Sequence, residues 1–85
     1  MKKVDIYTGN LCPYCFMAKK LLEENNILFT EYNIHQDEKN KAKMLSISNG
    51  KTSVPQIFFG SKHIGGYTDL EKLHEENKIF EILTN

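Results

Sequence analysis

The sequence predicts an α/β fold with one mixed β-sheet and the element order βαβ, helix, β-hairpin, helix. Three observations lead to this prediction. A β-forming segment, an amphipathic helix and a second β-forming segment follow one another at the start; two short β segments then flank the turn pair Gly60-Ser61; and a helix start signal comes after them. A strand–helix–strand unit of this length forms a right-handed parallel crossover, whereas a hairpin pairs its strands antiparallel, so the four-stranded sheet is mixed.

The first half of the chain supplies the crossover unit. Residues 3–7 alternate and carry β-formers, which predicts the first strand, and residues 8–10 form a turn. Pro13 suits the first position of a helix, where a missing N–H costs nothing, and residues 25–26 end that helix. Residues 27–34 are predicted to form the second strand. The apolar face expected for the helix consists of Tyr14, Met17, Ala18, Leu21 and Leu22.

The second half predicts a helix, a hairpin and a last helix. Residues 37–48 are helical, with a thin apolar stripe of Ala42, Leu45 and Ile47, and Asn49-Gly50 stops this helix. Residues 55–59 and 62–64 form the hairpin, in which Gly60 takes the positive φ of a type II′ turn. The last helix starts with a capping box, in which the Thr68 hydroxyl holds an amide and Glu71 reaches back.

Length and composition set limits on the function. With 85 residues, we expect one domain over 1–85. Acidic and basic residues are 11 each, so no net field favours nucleic acid or an anionic membrane as a partner. No apolar run approaches the ~18 residues of a membrane span, and the start does not resemble a signal peptide. We therefore expect a cytoplasmic protein, and because nothing in the sequence marks an oligomer interface, we expect a monomer.

The pair Cys12-Pro13-Tyr14-Cys15 carries the chemistry. Only a thiolate attacks disulfides, so a reactive Cys needs a depressed pKa. If Pro13 is the first helical residue, the Cys12 sulfur caps the helix, facing the amides of Tyr14 and Cys15 and the positive end of the helix dipole. Cys15 lies in the first turn and points inward. We therefore assign Cys12 as the nucleophile and Cys15 as the resolving thiol.

Three other interpretations of the two cysteines remain open. A zinc site needs four ligands, but there is no second Cys pair, and His63 and His74 do not have the usual ligand spacing. A structural disulfide is disfavoured by a reducing cytosol. Two incidental thiols are the third possibility. The position of the pair after a strand and at the start of a helix favours redox chemistry over all three.

Four segments together resemble a known family. Residues 6–8 (Ile-Tyr-Thr), 12–15 (Cys-Pro-Tyr-Cys), 52–58 (Thr-Ser-Val-Pro-Gln-Ile-Phe) and 63–70 (His-Ile-Gly-Gly-Tyr-Thr-Asp-Leu) are similar to a dithiol glutaredoxin of the short bacterial type. The resemblance covers essentially the whole chain. It implies a thioredoxin-like fold with helices on both faces of the sheet. It also implies glutathione as a reducing co-substrate, with no metal and no permanently bound cofactor, and protein disulfides or glutathionylated proteins as substrates.

The resemblance implies a glutathione groove. A cis bond before Pro55 would turn the backbone N–H and C=O of Val54 outward, where they pair with an extended peptide such as glutathione. Gly66 lets the backbone approach closely. Thr68 and the amides around it would receive the α-carboxylate of the γ-glutamyl group, and Asp69 would face its ammonium. The alternative is that Thr68 and Asp69 only cap the helix.

The chain departs from the family pattern at three positions. Gly9 stands where the family often has a Lys that pairs with the glycyl carboxylate, so we expect Lys41, or less favourably Lys43, to take that role. A solvated helix face is the alternative for both lysines. Ser53 replaces the usual Thr but keeps the hydroxyl. Tyr67 stands where a small residue or Cys is common, and it narrows the groove.

Aromatic and histidine side chains complete the predicted site. Tyr14 is expected to form an apolar wall over the groove. The three histidines are scattered without a partner pattern, so we interpret His35, His63 and His74 as surface or strand residues.

Two other functions compete with a glutathione-dependent thiol–disulfide oxidoreductase. One is a thioredoxin-type reductase served by a flavoprotein, although thioredoxins carry Gly-Pro between the cysteines and a preceding Trp, which this chain lacks. The other is an iron–sulfur carrier, with two protomers bridged through Cys12 and two glutathiones. Pro13 stiffens the site, and Cys15 offers a competing disulfide, so both features count against that role.

Overall fold

The computed structural model describes all 85 residues. They form a four-stranded sheet with helices on both of its faces. The elements in chain order are β1 (Val4–Thr8), α1 (Pro13–Glu24), β2 (Thr30–Asn33), α2 (Glu38–Ile47), β3 (Gln56–Phe59), β4 (Lys62–Gly65), α3 (Tyr67–Glu75) and α4 (Ile79–Thr84). None of these helices combines the length and apolar character needed to cross a lipid bilayer.

The sheet is mixed, as predicted. Its strand order is β2-β1-β3-β4. β1 pairs parallel with β2, aligning Ile6 with Glu31, and antiparallel with β3, aligning Ile6 with Ile57. β3 and β4 form the antiparallel hairpin. The central position of β1 buries four of its five residues, and it aims its carboxyl end at the loop that carries Cys12.

Two clusters of buried side chains lie on opposite faces of the sheet. On one face, Ala18 and Leu22 of α1 meet side chains from the strands, from α3 and α4, and from the loop after α1: Val4, Ile6, Ile57, Phe59, Leu70, Ile79, Leu83 and Ile27. On the other face, Met44 of α2 packs with Tyr7, Ile34 and Phe58. Alternation along β1 explains the division, because successive strand side chains point to opposite faces.

Both predicted turn signals are confirmed. Gly60 has a φ of 61°, the left-handed value that the first loop position of a type II′ turn requires. Asn49 and Gly50 also have positive φ, at 58° and 81°. The Gly50 N–H donates to the Leu45 carbonyl at 2.9 Å, which closes the end of α2.

Strand boundaries differ from the predictions. β1 begins at Val4 and includes Thr8, which was expected in the turn. β2 is only four residues long and does not reach back to Ile27, because Ile27 packs in the α1 core and donates its N–H to the Leu22 carbonyl at 2.9 Å. Leu28 is 91 % exposed, so the apolar run there is not a buried strand.

The predicted apolar stripe of α2 is wrong. Ala42 is exposed, Leu45 is half-buried and Ile47 is 38 % exposed, whereas Met44 is fully buried. One long, flexible side chain therefore makes the contact with the sheet that a stripe was expected to make.

The start and extent of the last helix also differ from the prediction. α3 begins at Tyr67 with Gly66 as its N-cap, so Thr68 lies inside the helix and is not the cap. Asp69, not Glu71, reaches back to the N-cap amide. The single last helix is in fact two, because Asn77 adopts a φ of 57° between α3 and α4.

Candidate active site

The loop after β1 places Cys12 at the N-terminus of α1. Cys12 is the N-cap in an extended conformation, and Pro13 takes the first helical position. The Cys15 N–H donates to the Cys12 sulfur at 3.1 Å. This hydrogen bond and the aligned peptide dipoles favour negative charge on that sulfur. No acidic residue lies in the first turn of α1 to oppose the effect.

The two cysteines are joined by a disulfide and differ in burial. Their Cα atoms are 5.2 Å apart. Cys15 is only 3 % exposed, whereas Cys12 is half-buried at the surface. Cys12 is therefore the more accessible of the two sulfurs. No group of three or more His, Cys, Asp or Glu side chains comes together in the structure.

The segment before β3 lies against Cys12. The Val54–Pro55 peptide bond is cis, as the resemblance implied. The Val54 carbonyl oxygen is 3.8 Å from the Cys12 sulfur, and Pro55 is buried behind it. A Cβ on Gly66 would lie 3.6 Å from the Pro55 carbonyl oxygen, so the N-terminus of α3 approaches this segment closely.

A shallow groove of about 250 Å³ lies between α1, this segment and α3. It brings together six of the predicted binding residues and Tyr67; the lining consists of Tyr14, Ser53, Val54, Pro55, Gly66, Tyr67 and Thr68. Through Val54, the groove adjoins the Cys12 sulfur. Cys12 and Val54, which are 42 residues apart in sequence, thus lie side by side at the edge of the groove.

Two tyrosines form one wall of the groove. The rings of Tyr14 and Tyr67 stack with centroids 6.0 Å apart and planes inclined by 25°. The Tyr67 hydroxyl donates to a Glu71 carboxylate oxygen at 3.1 Å. Desolvation and this acceptor both raise the pKa of Tyr67, so its hydroxyl stays protonated at neutral pH. Tyr14 is 57 % exposed, which leaves its outer surface open.

Asp69 lies beside the groove and does not line it. Its carboxylate accepts the Gly66 N–H at 2.9 Å and closes the N-terminus of α3. The same carboxylate fills the space beside Gly65, which has a φ of 120° and no room for a Cβ. Asp69 therefore caps α3, which is the alternative role given for it in the sequence analysis.

The structure does not bring Lys41 to the groove. Its side chain is exposed on α2 and has no hydrogen bond or ion pair. Lys43 is likewise exposed on α2.

Two histidines have partners that the sequence did not indicate. His63 stacks on Phe58 at 4.6 Å and its Nε2 lies 2.6 Å from a Gln56 side-chain oxygen. His35 accepts the Asn10 N–H on Nδ1 at 2.7 Å, beside the loop that leads to Cys12. The His35 contact joins residues that are 25 apart in sequence, whereas the His63 contacts lie within the β3–β4 hairpin.

This fold and this site together define a class of protein. A central β1, a Cys-x-x-Cys pair at the N-terminus of the following helix and a cis-proline segment beside the outer sulfur make a thiol–disulfide oxidoreductase with a thioredoxin-like fold.

Comparison with known proteins identifies the family. The family model described as Glutaredoxin matches residues 4–64. Glutaredoxin 1 of Rickettsia prowazekii is 42 % identical over 81 residues, covering 92 % of this chain and 83 % of that protein. The solution structure of glutaredoxin from Brucella melitensis is 40 % identical with a TM-score of 0.82, covering 98 % of this chain and 89 % of the other. The chain belongs to the glutaredoxin family.

A more distant structure extends the comparison. The crystal structure of a buckwheat glutaredoxin–glutathione complex is 26 % identical, with a TM-score of 0.84, and covers 98 % of this chain and 77 % of the other. The thioredoxin-like fold implied by the sequence resemblance is thus confirmed.

Proposed function

We propose that this chain is a cytoplasmic, monomeric, single-domain enzyme over residues 1–85 that uses glutathione to reduce protein disulfides and glutathione mixed disulfides. One observation carries the proposal. The half-buried Cys12 sulfur accepts the Cys15 N–H at 3.1 Å and adjoins a groove with the Val54 backbone at its edge. A stabilised thiolate is thereby placed next to a surface suited to a short extended peptide.

The one-thiol route uses Cys12 alone. The Cys12 thiolate attacks the glutathionyl sulfur of a mixed disulfide, and the substrate leaves as a thiolate that takes up a proton. Glutathione is now bound to Cys12 by a disulfide. A second glutathione thiolate attacks this glutathionyl sulfur, which releases the Cys12 thiolate and glutathione disulfide. One glutathione thiol is consumed and one glutathione disulfide is formed for each substrate thiol released from a mixed disulfide.

The two-thiol route adds Cys15. Cys12 first forms a mixed disulfide with a protein substrate, and the first substrate thiol leaves. Cys15, deprotonated as it attacks, then displaces the second substrate thiol and leaves the Cys12–Cys15 disulfide, which is the state of this structure. Two glutathione molecules reduce that disulfide and become glutathione disulfide. Burial of Cys15 confines its attack to a partner already held on Cys12.

The groove accounts for glutathione as the ligand. The N–H and C=O of Val54 pair with the cysteinyl residue like one more strand. The free amides at the start of α3 and the Thr68 hydroxyl receive the α-carboxylate of the γ-glutamyl group. Asp69 uses one carboxylate oxygen for the Gly66 amide, which leaves its other oxygen for the ligand ammonium.

The remaining contacts lie around the cysteinyl and glycyl parts of the ligand. Tyr14 covers the cysteinyl part, Pro55 supports it from beneath, and the Ser53 hydroxyl borders the groove. Lys41 does not line the groove, so a contact with the glycyl carboxylate requires its exposed side chain on α2 to extend toward the ligand. An exposed Lys contributes only about 0.2–1 kcal/mol, so this contact adjusts affinity and does not determine it. The likeness to the buckwheat protein solved with glutathione supports this choice of ligand.

Turnover of a glutathione mixed disulfide tests the proposal. The assay couples glutathione disulfide formation to glutathione reductase and NADPH, and compares the wild type with Cys12→Ser and Cys15→Ser. We expect no turnover with the first variant and retained turnover with the second. If the wild type shows no turnover but reduces insulin with thioredoxin reductase, the thioredoxin-type function replaces this one.

A further inference from the structure

We propose that His35 is a positioning residue for Cys12: it fixes the loop before the nucleophile, so that the sulfur stays aligned with the Cys15 N–H. The link to catalytic rate rests on the function proposed above. The link to the charge state of Cys12 does not. Neither composition nor local pattern points to His35, since it acts on a loop 25 residues earlier in the chain.

His35 and Asn33 together hold Asn10. The Asn10 N–H donates to His35 Nδ1 at 2.7 Å, and the Asn33 side-chain amide donates to Asn10 Oδ1 at 3.1 Å. The His35 N–H donates to Asn33 Oδ1 at 2.8 Å, so the two residues that contact Asn10 are also hydrogen-bonded to each other. This group is anchored to the sheet, because Ile34 donates its N–H to the Thr8 carbonyl at 2.8 Å.

The imidazole also fills the space beside Gly9. A Cβ at Gly9 would lie 2.8 Å from His35 Cε1, 3.1 Å from His35 Nδ1 and 3.2 Å from Val54 Cγ2. The 2.8 Å contact is shorter than real Cβ atoms make, so a side chain at position 9 must shift the ring. Displacing the ring would break its hydrogen bond to Asn10. Gly9 and His35 are therefore coupled, and Val54 of the groove adjoins the same space.

Little else holds the loop in place. Leu11, between Asn10 and Cys12, has a φ of 51° and a fully exposed side chain. A left-handed non-glycine residue persists only where its surroundings maintain it. Since Leu11 itself packs against nothing, the hydrogen bonds to Asn10 supply that restraint. Without them, we expect the Cys12 sulfur to spend less time in hydrogen-bond contact with the Cys15 amide.

Thiolate titration of the reduced full-length chain tests this proposal with four variants: His35→Ala, His35→Asn, Gly9→Ala, and Gly9→Ala combined with His35→Ala. Asn keeps an acceptor at the position of Nδ1 but lacks the Cε1 atom that crowds Gly9. The midpoint of the ultraviolet thiolate absorbance of Cys12 is measured against pH. Thermal unfolding of each variant is recorded in parallel, to separate an effect on the thiolate from a loss of folding.

We expect His35→Ala to reduce the thiolate fraction on the acid side of the transition about threefold, a midpoint shift of roughly half a pH unit. His35→Asn restores the wild-type midpoint. Gly9→Ala matches His35→Ala, because it displaces the ring, and the double variant is no worse than either single one. If His35→Ala does not fold, then His35→Asn and Gly9→Ala still provide the comparison.

An unchanged midpoint in both His35→Ala and Gly9→Ala would overturn the proposal. So would a double variant whose shift is the sum of the two single shifts. The titration contains no glutathione, so it stands even if the mixed-disulfide assay shows no turnover. Conversely, turnover with unaltered midpoints overturns only the role of His35.

Discussion

The backbone nitrogen of Cys15 lies 3.1 Å from the sulfur of Cys12 and donates its hydrogen to it. One residue thus serves the pair in two ways. Its amide stabilises negative charge on the sulfur of Cys12. Its own sulfur is buried, since Cys15 is only 3 % exposed, and it forms the disulfide with Cys12. Because Ser at position 15 keeps the amide and removes the thiol, substitution there separates the two contributions.

Replacing Asp69 should weaken both the fold and ligand binding. Asp69→Ala loses the acceptor of the Gly66 N–H, so we expect the free energy of unfolding to fall by about 0.5–2 kcal/mol. It also removes the carboxylate next to the groove, so KM for a glutathione mixed disulfide should rise. Urea unfolding and steady-state kinetics measure the two effects.

Asp37→Ala is the matched control for Asp69→Ala. Asp37 caps α2 by accepting the Lys39 N–H at 2.9 Å, and it does not line the groove. We expect a similar loss of stability with an unchanged KM. Equal KM values for the two variants would remove Asp69 from the binding site and leave it as a cap only.

Tyr67 should contribute to the groove through its ring and not through its hydroxyl. Tyr67→Ala removes the partner that stacks on Tyr14. An aromatic pair is worth about 0.5–1.5 kcal/mol, so we expect KM to rise roughly two- to tenfold with kcat little changed. Tyr67→Phe keeps the ring, loses only the bond to Glu71, and should retain the wild-type KM. A raised KM in Tyr67→Phe would contradict this assignment.

Met44 should be the main anchor of α2. Its side chain is fully buried between α2 and the sheet, so Met44→Ala leaves a cavity and should lower the free energy of unfolding by about 2–5 kcal/mol. Ile47→Ala on the same helix removes a residue that is 38 % exposed and should cost clearly less. Urea unfolding of the two variants compares them directly. An equal loss of unfolding free energy in the two variants would show that Ile47 contributes as much as Met44, as the predicted apolar stripe implied.

Glu31 should make stability depend on acid pH. Burial alone would raise its pKa, but hydrogen bonds from Thr8 at 2.7 Å and Lys19 at 3.0 Å outweigh burial and lower the pKa below its ordinary 4.5. The stabilisation is therefore present above that value and is lost as the pH falls through the folded-state pKa. Because both charged side chains are about a third exposed, we expect only about 0.5–1 kcal/mol.

Urea unfolding of the wild type and Glu31→Gln, at about pH 7 and about pH 3, measures this contribution. Gln keeps an acceptor for Thr8 and removes the charge. The wild type should be the more stable at neutral pH, and the two proteins should be equal in acid. A difference that persists unchanged in acid would show that the charge of Glu31 is not its source.

Local signals predicted much of this structure. Pro13 and Cys12 indicated where α1 begins, and Gly60 and Asn49 indicated a hairpin turn and a helix end. Each of these depends on backbone conformation within a few residues, which the residue type largely determines. The family resemblance added the cis bond before Pro55, which local propensity does not reveal.

Most of the errors fall where contacts between distant segments decide the outcome. Met44 is buried because the sheet lies under that part of α2, although the charged residues around it suggested a different stripe. Asp69 caps α3 because Gly66 turns toward it, which displaced the predicted box by two residues. His35 meets Asn10 only after β2 has paired with β1. The contacts of Met44 and His35 have no local sequence signature, whereas the Asp69 cap is local and was missed because the start of α3 was misplaced.

The most direct test is to locate the glutathione that the reduced enzyme acquires. Reduced wild type, Cys15→Ser and Cys12→Ser are each mixed with glutathione disulfide, quenched with acid and examined by intact mass and peptide mapping. The account predicts one glutathione on the peptide that contains Cys12 in Cys15→Ser, and none in Cys12→Ser, where the remaining thiol is buried. Equal labelling of Cys15 in Cys12→Ser would contradict the assignment of Cys12 as the nucleophile.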